Sequence, residues 1–268
     1  MAEHMEEVEA IANSKNAPTF ENTIVALEIS GALLDRVATV FFSLTSANTN
    51  DDMEKIRSEM APKLSAHSDQ ILLNGKLFER VMVLHEKRND LDLDAESLRL
   101  VEKYYTDFVR AGAKLSTEEK ERLKSINSEM AVLQTTFSQN VLKEVNALAV
   151  VVNSIEELDG LSNAAIEAAA NEGKSRELEG KYVITLRNTS GQPPMSSLTN
   201  RALRERIHKT SLSRGSRGGD FDNRETLAKV IKLRAERSQL MGYANHAAYS
   251  LENQTAQTTD AVNKRLSG

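Results

Sequence analysis

The sequence predicts a mainly α fold, an antiparallel helical array with one small β element. Three observations predict it. Apolar residues recur at alternating spacings of three and four along most of the chain, residues with helix-capping chemistry stand ahead of those stretches, and two short runs, 148–152 and 182–186, are instead rich in β-branched residues. Composition agrees, since 40% apolar and 27% charged residues in a chain of 268 describe a globular protein able to bury a substantial core.

Taken in order, the first helical stretch runs from Phe20 to Leu44, with Ile24, Leu27, Leu34, Val37, Phe41 and Leu44 at helical spacing and Pro18-Thr19 as stop and N-cap. Further helices are expected to start near Asn50, Asp94 and Asp222, the last with Glu225 at capping-box spacing. Pro62 is expected to kink or divide the 51–73 helix, because proline lacks the amide donor and crowds the preceding turn. The clearest helix carries Leu123, Ile126, Met130, Leu133, Phe137 and Val141 on one stripe behind a Ser116/Glu119 capping box.

Between the two predicted strands lies an alanine-rich helix that Ser162 caps and Gly173 ends, with 174–179 as the loop back. A boundary is expected near residue 146, dividing an all-helical part, 1–145, from a mixed part, 146–268, that is truncated at its C-terminal end. Asn188 to Pro194 reads as a loop because one glycine and two prolines interrupt it. Thr258 or Thr259 caps a last helix carrying Val262 and Leu266. About two turns are too few to persist alone, so an exposed apolar surface is expected there, frayed or covered by another copy through non-native self-association.

Several function classes are disfavoured. A formal net charge of −5 offers no nucleic-acid footprint. No apolar run approaches a membrane span, and the opening Met-Ala-Glu-His-Met-Glu-Glu is acidic where a signal peptide is basic and then apolar, so no membrane partner is expected. The absence of cysteine removes thiol catalysis and fits a reducing compartment, with the cytoplasm as default. No Gly-x-Ser-x-Gly elbow occurs, and the adjacent carboxylates Glu6-Glu7 and Glu118-Glu119 diverge on a helix. Among His4, His67, His85, His208 and His246 no two are four apart, so the two-histidine, one-glutamate helix of a zinc peptidase is not present. The nearest approach, His85-Glu86, has Asn89 where the second ligand belongs. No catalytic residue, metal ligand or cofactor is expected within these residues.

Residues 180–193 (Gly-Lys-Tyr-Val-Ile-Thr-Leu-Arg-Asn-Thr-Ser-Gly-Gln-Pro), 200–207 (Asn-Arg-Ala-Leu-Arg-Glu-Arg-Ile), 233–237 (Leu-Arg-Ala-Glu-Arg) and 240–249 (Leu-Met-Gly-Tyr-Ala-Asn-His-Ala-Ala-Tyr) resemble the peptidyl-dipeptidase (Dcp) branch of the thimet oligopeptidase family of zinc metallopeptidases, as do residues 18–28 near the start. Gln254-Thr255-Ala256 stands where the other branches are expected to show Lys-Met-Ala. The resemblance implies a thimet oligopeptidase-like (neurolysin-like) two-lobed fold whose deep channel admits short unstructured peptides. It further implies that the zinc ligands and general base lie in a half that follows, so that this chain is an inactive N-terminal wall region and zinc belongs to the full-length parent. A non-catalytic helical scaffold or peptide-binding module is the alternative.

One basic stretch stands out. Arg201, Arg204, Arg206, Lys209, Arg214 and Arg217 face a single acid, Glu205. Arginine's planar fork matches a carboxylate, so Arg201, Arg204, Arg214 and Arg217 are the candidate substrate-channel residues; a solvated face or an internal ion-pair surface is the competing reading. The segment Arg214-Gly-Ser-Arg-Gly-Gly-Asp220 lacks the strand and the lysine of a phosphate loop and reads as a helix-to-helix connection.

Overall fold

Helices form where apolar spacing and capping chemistry coincide. The structure, a computed structural model, describes residues 1–187 and 192–268. Within them the chain divides into two compact units, one of residues 1–135 with 230–268 and the other of residues 136–229.

In the first unit, α1 (Ala2–Ala12), α4 (Asp51–Leu72), α5 (Gly75–Glu86) and α6 (Ala95–Arg110) surround a short π-helical turn, Phe20–Val25, that runs on into α2 (Ala26–Ile29). The core gathers Val8, Ile24, Leu77, Val81, Val101 and Phe108 from four of these elements. Start signals behave as expected: Thr19 and Asn22 form a reciprocal capping box, and Asn50, Asn74 and Asp94 accept from the amides of Met53, Leu77 and Ser97 at 2.9, 3.1 and 2.7 Å. Arg80 ties the core together. Although buried, it donates to the carbonyls of Ser14 and Asn16, to Asn22 Oδ1 and to Thr23 Oγ1, so one guanidinium satisfies four acceptors from two stretches of the preceding chain.

Two helical expectations change. The 20–44 stretch is not one helix: Ser30 turns extended, Gly31 adopts φ +70°, and α3 (Ala32–Ala47) starts afresh. Gly31 is required there. A Cβ would meet the His4 ring at 2.6 Å, and the Gly31 amide donates to Glu7 Oε2 at 2.7 Å. Proline does not divide α4, which runs through Pro62 uninterrupted. The first unit is completed by the leading part of α7 (Thr117–Ala147), the trailing part of α10 (Arg224–Leu240), α11 (His246–Leu251) and α12 (Thr259–Leu266). The Ser116/Glu119 box closes both ways at 2.9 and 3.3 Å. Arg122 binds Glu236 through two parallel contacts of 2.5 and 2.7 Å.

The second unit holds the β element. Strand β1 (Ala149–Val152) pairs antiparallel with β2 (Tyr182–Thr185), Ala149 opposite Thr185 and Val152 opposite Tyr182. Its core takes Val150, Val152, Ile184 and Leu186 from the sheet region, Leu158 from the turn that follows β1, and Leu203 and Ile207 from α9 (Arg201–Leu212). Helix α8 (Asn163–Ser175) starts at Ser162, whose hydroxyl accepts from Ala165 N at 3.2 Å. Gly173 does not end α8, which continues to Ser175. Its hydrogen instead makes room for the Lys181 carbonyl, which any Cβ would overlap. Of the 188–194 loop, residues 188–191 lie outside the described residues, and Pro193–Ser196 forms a 3-10 turn.

The mainly α architecture with one small β element is thus the observed one. No helix among the described residues is long and apolar enough to cross a membrane.

Candidate functional site

The basic stretch 201–217 is built on α9 and the connection to α10. Leu203 and Ile207 anchor α9 to the second unit's core, which turns the arginines toward the surroundings of that contact. Arg204 reaches back and donates to the carbonyls of Leu198 and Thr199 at 2.6 and 2.9 Å. Arg206 donates to Val151 O at 2.7 Å and pairs with Glu157 at 3.5 Å, satisfying the outer edge of β1. Lys209 pairs with Glu205 one turn away. Arg214 donates to Leu186 O at 3.3 Å just after β2. Of the predicted residues, Arg204 and Arg214 are therefore held by backbone carbonyls, whereas Arg201 and Arg217 are exposed and have no partner among the described residues.

The glycine-rich connection is clamped. Buried Glu144 accepts from Gly215 N, buried Asn223 donates to Phe137 O at 3.0 Å, and Asn140 donates to Asn223 Oδ1 at 3.0 Å. Asp222 accepts from the amides of Gly218 and Arg224 and from the Arg224 guanidinium, which holds its carboxyl well below the usual range. Arg217 lines a cavity of ≈ 220 Å³ with Glu144, Leu148 and Phe221.

The histidines are scattered. His85 stacks on Tyr105 with ring centres 3.7 Å apart, His246 lies beside Ser250, and His208 is exposed. His4 and His67 meet, Nδ1 to Nε2 at 3.0 Å, and Ser30 lies 3.3 Å from His4 Nε2. Burial lowers the pKa of both, and proximity to each other lowers His67 further. Both nitrogens of His4 and the Nε2 of His67 are thus spent on each other and on a hydroxyl. Among the described residues no group of three or more His, Asp or Glu side chains is placed to hold a metal ion, so these side chains do not fit a zinc ligand set.

A polar cavity that sequence reasoning missed lies wholly within the first unit. It measures ≈ 330 Å³ and is lined by Asp69, Arg110, Asn127, Arg237 and Tyr249 among others. Burial pushes the Asp69 carboxyl up, while the Asn127 amide at 2.8 Å and the positive charges of Lys124 and Arg237 offset part of that. Arg110 and Arg237 sit 4.8 and 5.3 Å from the centre of the same Tyr249 ring. Arg110 is also paired with Glu252 and with Tyr249 O, but Arg237 Nε is buried and makes no hydrogen bond. The cavity is thus lined by one carboxylate, with one buried donor that has no partner in its wall. Its lining comes from four stretches far apart in sequence, so no local spacing announces it. Only Arg237, Met241 and Tyr249 fall in segments that carried the family resemblance.

Comparison with known proteins supplies the context. Residues 194–267 match the model of Peptidase family M3. Over 98% of its length the chain is 38% identical to the dipeptidyl carboxypeptidase of Escherichia coli K12, and over 96% it is 40% identical to that of Salmonella typhimurium. The family resemblance is borne out. Identity to the E. coli oligopeptidase A is 27% over 96% of the chain, so similarity to the dipeptidyl carboxypeptidases is the higher. The chain spans 38% of the length of each of these relatives.

Proposed function

We propose that this chain is the N-terminal channel-wall region of a cytoplasmic, zinc-dependent peptidyl-dipeptidase that acts on short unstructured peptides and releases C-terminal dipeptides. The observation that carries the reading is the 38–40% identity to two dipeptidyl carboxypeptidases over nearly the whole chain. On this reading zinc and the water-activating groups come from the rest of the enzyme. These residues supply walls and surface charge.

Within the wall, Arg201 and Arg217 are the side chains free to meet a peptide carboxylate, while Arg204 and Arg214 hold their own backbone in place. The test is kinetic. In the peptidase that carries this region, Arg201→Glu with Arg217→Glu raises KM for acidic peptides several-fold more than for neutral ones, and more at low salt, because exposed charges are screened. Equal changes for both peptides, or none, return the basic stretch to a solvated and internally bonded surface.

A further inference from the structure

The α3 helix carries apolar residues on two faces. Leu34, Ala38 and Phe41 lie half-buried, and Leu34 and Ala38 line a groove of ≈ 1030 Å³ shared with Leu64, His67 and Ile71. On another stripe, Leu33, Val37, Val40 and Leu44 are 56, 58, 56 and 53% exposed, and Ile29 just ahead of the helix is 69% exposed. Only Asp35 and Arg36 are charged between Ala32 and Ala47, and Thr45 is the one residue of the helix that is buried. A helix that is apolar nearly all round belongs inside a larger body, and an uncovered stripe of this size in water marks a contact surface.

We infer that the Leu33, Val37, Val40 and Leu44 stripe of α3 is the docking face for the further polypeptide that dipeptidyl carboxypeptidases carry, received as an apolar helical surface. The occupant follows from length and chemistry. This chain spans 38% of such relatives, so more than half of a peptidase of that size remains to supply a partner. The four stripe residues are themselves all aliphatic, which suits an apolar partner surface, and the charges that border them, Glu3, Glu7, Asp35 and Arg36, are of both signs. The inference rests on the peptidase reading above and adds to it the surface through which this wall joins the rest.

The experiment co-expresses the chain with the part of E. coli dipeptidyl carboxypeptidase that it does not span, and repeats this with Val37→Lys/Leu44→Lys. The expected result is a complex that co-purifies with the unchanged chain and is weakened at least about tenfold by the double substitution, while circular dichroism of the substituted chain alone is unchanged. Co-purification that ignores the substitutions overturns the docking face but leaves the peptidase reading standing. No complex of any kind, with both polypeptides soluble, overturns the docking face, and the peptidase reading is then decided by the kinetic test above. A dimer of the chain alone that the two lysines disperse gives the stripe to a second copy and overturns the assignment.

Discussion

Helices α3 and α5 are both short, both rich in large aliphatic residues, and opposite in fate. In α5, Leu77, Phe78, Val81 and Leu84 are at most 7% exposed and the one buried cation, Arg80, is bonded to four acceptors. In α3, residues of the same kinds stand more than half in solvent. Apolar periodicity thus reports that a helix has a partner but not where the partner comes from. For α5 it lies in α1, α6 and the Phe20–Val25 turn; for α3 it is expected outside these residues.

Matched truncations break or sharpen this contrast most strongly. Leu77→Ala is expected to cost about 3 kcal/mol of folding stability through lost transfer energy and a cavity, and Leu33→Ala less than about 0.5 kcal/mol. Denaturant unfolding of the two variants checks this, and similar costs at both sites end the contrast. Next in size is Arg80→Ala, expected to cost about 2 kcal/mol because it strands the buried Thr23 Oγ1 and the half-buried acceptors of Ser14 and Asn22. Arg80→Lys should restore less than half, since an ammonium cannot span four acceptors as a planar fork does. Full rescue by lysine assigns Arg80 a role of charge alone.

The smallest effect lies at the start of α3, where His4 sits under Gly31 and contacts His67. Both histidines have lowered pKa values in the folded state, chiefly through burial, so the unfolded chain binds more protons just below its own pKa of about 6.5. Stability from this pair is therefore complete above about pH 6.5 and declines as pH falls through the window between the unfolded and folded values. Thermal unfolding at pH 7.5 and 5.5 should show that decline, reduced in His67→Gln. An unchanged slope in the variant would place the titration elsewhere.

The legible parts of the fold were those set by local chemistry. Thr19, Asn50, Asp94, Ser116 and Ser162 each cap the helix their position predicts, because capping needs only a side chain and amides two or three residues away. The two valine- and isoleucine-rich runs pair as strands for the same reason. What was misread depends on distant residues: the helix breaks at Ser30 and Gly31, where His4 fills the space a Cβ would need, and Gly173 serves the carbonyl of Lys181 rather than a helix end. The candidate site divides likewise. The excess of positive charge at 201–217 is plain in sequence, but that Arg204, Arg206 and Arg214 spend themselves on the carbonyls of Thr199, Val151 and Leu186 follows only from the packing of α9. The Asp69 and Arg237 cavity had no local signal at all.

The most direct test of the central claim uses the absence of cysteine, which makes Val37→Cys the sole thiol in the chain. Its rate of reaction with a maleimide should match that of a free peptide thiol in the isolated chain at every concentration, and fall at least about tenfold in the complex with the remaining peptidase polypeptide. Slow, concentration-independent labelling in the isolated chain would mean that the stripe is already covered, and would contradict the account.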